Sequence, residues 1–162
     1  MPNIPPLTST QRLILIGLTV LAVMFGFVVR IHGLGVWPLS VDEYYLTKSV
    51  LSILENGLPG FECGGFYVRG VLQQYVSAMA VASMDNTELA MRLYPMVSSL
   101  LMLWAVFLLG RRAGGLIAGC LALVLLSLSI WEIEYSRFAR MYMPFQALTV
   151  IQVYLFVKLV ID

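Results

Sequence analysis

Four stretches of this chain are too long and too free of charge to sit comfortably in water. Leu13 to Val29 lies between Arg12 and Arg30, and Leu93 to Leu109 ends at Gly110-Arg111-Arg112. Gly114 to Ile130 stops at Trp131-Glu132, and a last run from about Met143 to Ile161 is interrupted only by Gln146, Gln152 and Lys158. A helix crossing the hydrocarbon core needs about 17–25 apolar residues, so each stretch predicts one transmembrane helix. The fold class expected is all-α: a polytopic membrane bundle of about four spans (13–29, 93–109, 114–130, 143–161), with two or three juxtamembrane helices in a long first external loop, 30–92. Composition agrees. Of the 162 residues 60% are apolar and 12% charged, against about 45–50% and 25% in soluble domains.

The first span is read as an uncleaved anchor. Its apolar run exceeds the core of a signal peptide, and Arg30-Ile31-His32 follows where small residues would mark cleavage. A net charge of +1 on scattered basic residues excludes a nucleic-acid partner. Cys63 and Cys120 are too few for a disulfide scaffold, and Cys120, in an apolar run, reads as a small buried hydrophobe. Neither a His/Cys zinc cluster nor a phosphate-binding glycine loop is present. His32, the one histidine, reads as a juxtamembrane polar residue.

Orientation follows from the charge of the shortest loop. Arg111-Arg112 between two spans predicts a cytoplasmic turn. The N-terminus is then inside, as is the C-terminus, and segments 30–92 and 132–140 are outside. Every acid except Asp162 falls on that outer face: Asp42, Glu43, Glu55, Glu62, Asp85, Glu88, Glu132 and Glu134. Arg30, Lys48, Arg69, Arg92, Arg137 and Arg140 join them, against the usual bias. External cations so placed serve either surface ion pairs or an anionic ligand.

In the first loop Ser40-Val41-Asp42-Glu43 is a capping box, with a helix to about Glu55 stopped by Asn56-Gly57. Leu46, Val50, Ile53 and Leu54 form its apolar stripe, which predicts a seat on the membrane surface. A second interfacial helix is expected after the glycine-rich stretch 60–65. Its stripe is Val68, Val71, Leu72, Tyr75 and Met79, with Arg69, Gln73 and Ser77 on another face. Asp85-Asn86-Thr87-Glu88 starts a third helix, and Glu88 and Arg92 are spaced to pair along it. Pro95 marks either a restart or a kink.

Two clusters carry chemistry. Asp42-Glu43 sits in a first helical turn, where acids also serve the helix dipole. One of them, Asp42 before Glu43, is the candidate general base or cation ligand. The segment Glu132 to Tyr142 holds two acids and two arginines. If helical, it places Arg137 and Arg140 on one face, suited to bidentate binding of phosphate; otherwise it is a helix end with interfacial arginines and the aromatic belt of Trp131, Tyr135 and Tyr142. Substrate-binding candidates are Arg69, Arg92, Glu132, Glu134, Arg137, Arg140 and Tyr142, and both clusters are expected in one cleft at headgroup height.

The order of these motifs resembles the N-terminal part of the C-type (GT-C) membrane glycosyltransferases. They are Arg30–Leu34, Asp42-Glu43-Tyr44-Tyr45, Gly57–Pro59, Gly70–Tyr75, Glu88 with Arg92–Pro95, Gly110–Arg112 and Tyr135–Tyr142. Within that superfamily they look most like the dolichyl-phosphate-mannose–protein mannosyltransferases and the bacterial aminoarabinose transferases. The resemblance implies transfer of a sugar from a polyprenyl-phosphate donor to a protein or a lipid or glycan acceptor, at the extracytoplasmic face of the plasma (inner) membrane. Asp42 matches the family's catalytic acid and Glu43 its neighbour. No cofactor is certain. A divalent cation, magnesium or manganese, is required by some members only, and no metal-ligand set is assigned. Members are several hundred residues longer, so the chain is expected to be one module of a larger enzyme. The alternative is a non-enzymatic membrane subunit or a component of lipid or polysaccharide transport.

Overall fold

A computed structural model describes residues 7–161 and is all-helical. Helix α1 (Ser9–Ile31) is followed by α2 (Val41–Asn56), α3 (Val71–Ser83), α4 (Thr87–Ser127), α5 (Ile130–Ser136) and α6 (Tyr142–Ile161). Three of these, α1, α4 and α6, are long and apolar enough to cross a membrane, and the protein is a helical membrane protein. Their outward residues are the large apolar ones: Leu13, Leu18, Leu21 and Phe25 on α1, and Phe145, Phe156 and Leu159 on α6, all more than half exposed. A lipid solvent permits this surface; water would not.

The two middle apolar runs, expected as separate spans at 93–109 and 114–130, lie within α4. That helix starts at Thr87, where Asp85-Asn86-Thr87-Glu88 predicts a start, because the Asn86 side chain caps it by accepting the Leu89 N–H at 2.7 Å, and it runs on into the first apolar run. It passes Pro95 without a break and leaves helical geometry only at Gly114 (φ −144°) and Gly115 (φ +75°). The positive φ suits glycine because a side chain would strain the backbone there, although the space around it is open. The two limbs then lie side by side. A Cβ on Gly110 would stand 3.1 Å from Gly119 Cα, and one on Gly119 would stand 2.9 Å from the Phe107 carbonyl. Small residues let the backbones approach this closely. The second limb stops at Ser127 instead of Ile130, and α5 begins after two non-helical residues.

Both ends of α4 meet the C-terminal end of α1. Arg30, fully buried, donates to the Ser127 carbonyl at 2.9 Å and the Leu126 carbonyl at 3.3 Å. It thereby satisfies carbonyls that a helix end leaves open. At the other end of α4, Asn86 Nδ2 donates to the Gly35 carbonyl at 3.3 Å.

Helices α2 and α3 form a cap on this end. The capping box at Ser40 is complete, and α2 ends at Gly57 with φ +76°. Leu46, Val50 and Ile53 pack on Ala78, Met91 and Ala139. The α2 stripe therefore faces protein, not the membrane surface expected for it; only Leu54 stays out, 44% exposed. The polarity of α3 is inverted. Gln73, Gln74 and Ser77 are buried, whereas Val71, Leu72, Tyr75 and Met79 are exposed. Gln74 explains part of this: it accepts from Ser49 Oγ at 2.5 Å and donates to the carbonyls of Tyr67 and Arg69 at 2.8 Å, tying α3 to α2 and to the loop before it.

Candidate functional site

Consecutive helical residues point about 100° apart, and the adjacent acids of α2 divide accordingly. Glu43 is 1% exposed, while the Asp42 side chain is 60% exposed. Glu43 Oε1 accepts from Arg92 Nε at 2.9 Å and from the Ala139 N–H at 2.8 Å. Its Oε2 accepts from Arg92 Nη2 and the Ser40 N–H, both at 2.9 Å. Arg92 gives its other donors to the carbonyls of Leu34, Trp37 and Pro38 at 2.8–3.1 Å. All five guanidinium N–H groups are thus used inside the chain.

This pair ties the 34–38 turn, the start of α2, α4 and the segment before α6 into one knot. Burial pushes the Glu43 carboxyl up. The hydrogen bonds from Arg92, Ala139 and Ser40, with the charge of Arg92, outweigh that and hold it below the usual carboxylate value. The local pairing expected between Glu88 and Arg92 is replaced by this long-range one, and neither Glu43 nor Arg92 has capacity left for a substrate.

Asp42 faces a second cation. Its Oδ2 lies 3.7 Å from Arg140 Nη2. Arg140 Nη1 donates to the Asp42 carbonyl at 3.2 Å and to the Tyr67 hydroxyl at 2.9 Å. Its guanidinium stands 6.0 Å from the Tyr142 ring centroid. Asp42, Arg140, Tyr67 and Tyr142 therefore form one cluster above the end of α6.

Arg137 does not join it. Helix α5 ends at Ser136 and residues 137–141 turn, so the shared helical face expected for Arg137 and Arg140 does not form. Arg137 donates to the carbonyls of Val29 at 3.1 Å and His32 at 2.9 Å, closing the end of α1. It also lines a cavity of about 420 Å³ with Trp37, Glu134 and Phe138, floored by Glu43 and Arg92. Another cavity of about 350 Å³ lies between the outer face of α2 and the glycine-rich loop, at Tyr44, Lys48 and Glu62. Neither lining includes Asp42 or Arg140.

The remaining candidates are dispersed. Glu132 accepts from Gln146 Nε2 at 2.8 Å between α5 and α6. Glu134 is exposed at the cavity mouth, and Arg69 is exposed in the loop before α3. Tyr67, which orients Arg140, is not among the sequence candidates, and no local pattern in the sequence marks it. A divalent cation does not fit these residues. The lone pairs of Glu43 facing inward are taken by donors, Asp42 has a cation as neighbour, and among the described residues no three His, Cys, Asp or Glu groups come together. No family model matches the chain, and neither the curated proteins nor the solved structures contain a match.

Proposed function

We propose that the chain is the N-terminal membrane module of a glycosyltransferase that takes a sugar from a polyprenyl-phosphate donor at the extracytoplasmic face. The carrying observation is the exposed Asp42 carboxylate set 3.7 Å from Arg140 at one end of the bundle. A base must reach an acceptor, and Asp42 alone of the two adjacent acids is accessible. A leaving phosphate needs cationic stabilisation, and the cation beside that base is Arg140, whose side chain is 8% exposed and is held by Tyr67.

In this reading the acceptor hydroxyl or amine gives its proton to Asp42 as it attacks the anomeric carbon. The carbon–oxygen bond to phosphate breaks on the opposite side, so configuration inverts, and the phosphate leaves as an anion next to Arg140. Glu43 and Arg92 do not touch substrate; they fix the first turn of α2 and hence Asp42. The chain crosses four times, with Arg111 and Arg112 cytoplasmic. In support, both ends of α4 lie near the C-terminal end of α1, with the Gly114–Gly115 break between them.

The test is transfer from radiolabelled polyprenyl-phosphate sugars, mannosyl and aminoarabinosyl, in membranes containing the full-length protein. Asp42→Asn is expected to lower turnover by about 10²–10⁴-fold at unchanged expression. Near-normal turnover would remove the base and favour the non-enzymatic subunit.

A further inference from the structure

Gln146, Gln152 and Lys158 interrupt the apolar run of α6, and two of them have an evident place. Gln146 donates to Glu132 at 2.8 Å. Lys158 lies in the last turn, from which its long side chain reaches the interface. Gln152 is left. It is exposed and has no hydrogen-bond partner among the described residues. It is also the eleventh of the 20 residues of α6. Twenty helical residues rise about 30 Å, the thickness of a hydrocarbon core, so a crossing by α6 sets this amide near mid-bilayer. An amide without a partner is costly there, because no water comes to satisfy it.

The face that carries Gln152 is turned away from the bundle. Met143, Ala147 and Val150 pack α6 against Met102 and Leu103 of α4. Phe145, Thr149 and Gln152 each follow one of these by two residues, about 200° around the helix. Phe156 and Leu159 continue the row, and all five are exposed. They stand four, three, four and three residues apart, the spacing of a heptad seam. Thr149 returns its hydroxyl to the Phe145 carbonyl at 2.9 Å. Gln152 is therefore the one member of the row whose polar groups need a partner.

We propose that this face of α6 packs on the same face of a second copy of the chain, with the two Gln152 amides hydrogen-bonded to each other. A carboxamide carries donor and acceptor side by side, so two of them across a two-fold axis satisfy one another. Copies inserted with the same orientation bring α6 to α6 in parallel, and position 152 then meets position 152. A single polar amide in a heptad seam fixes register and the number of helices, and interhelical hydrogen bonds help drive helix pairing in a membrane. Lipid tails cover the phenylalanines and the leucine equally well but offer the amide nothing.

Energy transfer tests the pairing. The full-length protein is labelled at Cys63, the exposed thiol, with donor or acceptor dye, mixed in phosphatidylcholine vesicles and diluted with lipid. Transfer should fall as a monomer–dimer equilibrium requires. Gln152→Leu should weaken association about threefold to thirtyfold, and Gln152→Asn should retain it. A second arm leaves Gln152 in place. With Cys63→Ser and Cys120→Ala as background, Thr149→Cys and Phe156→Cys should form disulfide dimers under a lipid-soluble oxidant. Val153→Cys and Leu155→Cys, at exposed positions on either side of the row, should not. Transfer no greater than random proximity at every dilution would overturn the pairing; that is the outcome if lipid or another span of the same polypeptide covers the face. Unchanged association of Gln152→Leu, or disulfides as strong at 153 and 155 as at 149 and 156, would overturn it too. The disulfide arm decides even if Gln152→Leu fails to fold. No sugar or turnover enters either arm, so the pairing stands or falls apart from the proposed function.

Discussion

Asp42 and Glu43 are neighbours with opposite physical situations, and their variants separate stability from activity. Glu43→Gln keeps the shape but leaves Arg92 buried against a neutral amide. Breaking one side of such a pair costs about 3–5 kcal/mol, which thermal or denaturant unfolding in detergent would register. Asp42→Asn, on an exposed side chain, should stay within about 0.5 kcal/mol. The pH dependence has a definite sign. The folded Glu43 carboxyl binds its proton more weakly than the unfolded one. Its contribution to stability is therefore whole above the unfolded value of about 4.3. It is lost as pH falls through the lower folded value. A melting series from pH 7 to pH 3 should show this acid limb flattened in Glu43→Gln; an unchanged limb would mean the carboxyl is not held as described. The capping role of Glu43 was legible, because Ser40-Val41-Asp42-Glu43 is a local signal. Its partner was not: Arg92 is 49 positions away, and a local acid at Glu88 offered a simpler pairing.

Among the helices, what could be read from sequence was whatever depends on neighbours in the chain. Both ends of α2 follow from Ser40 and Gly57, and the start of α4 follows from Asn86. The facing of each helix was harder, since an apolar stripe looks the same whether it meets protein or lipid. The α2 stripe meets protein, whereas the α3 stripe points out and its glutamines point in. Gln74, with three hydrogen bonds to α2 and to the loop before α3, fixes the facing of α3 and carries the buried side chains of Gln73 and Ser77 inward with it. The residues 137–141 turn for a related reason: the Ala139 N–H is drawn to Glu43, which a local helix would have used internally. The seam within α4 gives an element-scale prediction. Gly119→Ala would push a methyl against the Phe107 carbonyl at 2.9 Å and should cost about 1–3 kcal/mol by overpacking. Gly17→Ala, with nothing within 4 Å, should be neutral or gain up to about 1 kcal/mol from helix propensity. Equal melting temperatures for the two variants would show that the limbs are not closely packed.

Taken whole, the molecule keeps its charged groups among an apolar core and turns large apolar side chains outward on its long helices, and this bears on how the chain threads the bilayer. Arg30, Glu43, Gln74 and Arg92 are buried, while the outward faces of α1 and α6 are leucine, valine and phenylalanine. The first limb of α4, residues 87–113, is about 40 Å long and exceeds the hydrocarbon core of about 30 Å. The second, residues 116–127, reaches only about 18 Å. On the four-span reading, a return crossing by that limb would have to be completed by α5. Two cysteine positions test this threading. Cys63 is exposed in the first loop and Cys120 is buried, so the natural chain has one reactive thiol. A membrane-impermeant maleimide applied to intact cells should label Cys63. In a Cys63→Ser background, Arg111→Cys should react only after the membrane is opened. Labelling of Arg111→Cys in intact cells would place the Gly114–Gly115 break on the same side as the loop. The α4 limbs would then dip into the bilayer without crossing it, and Asp42 and Arg140 would no longer be separated by a membrane from the arginine turn.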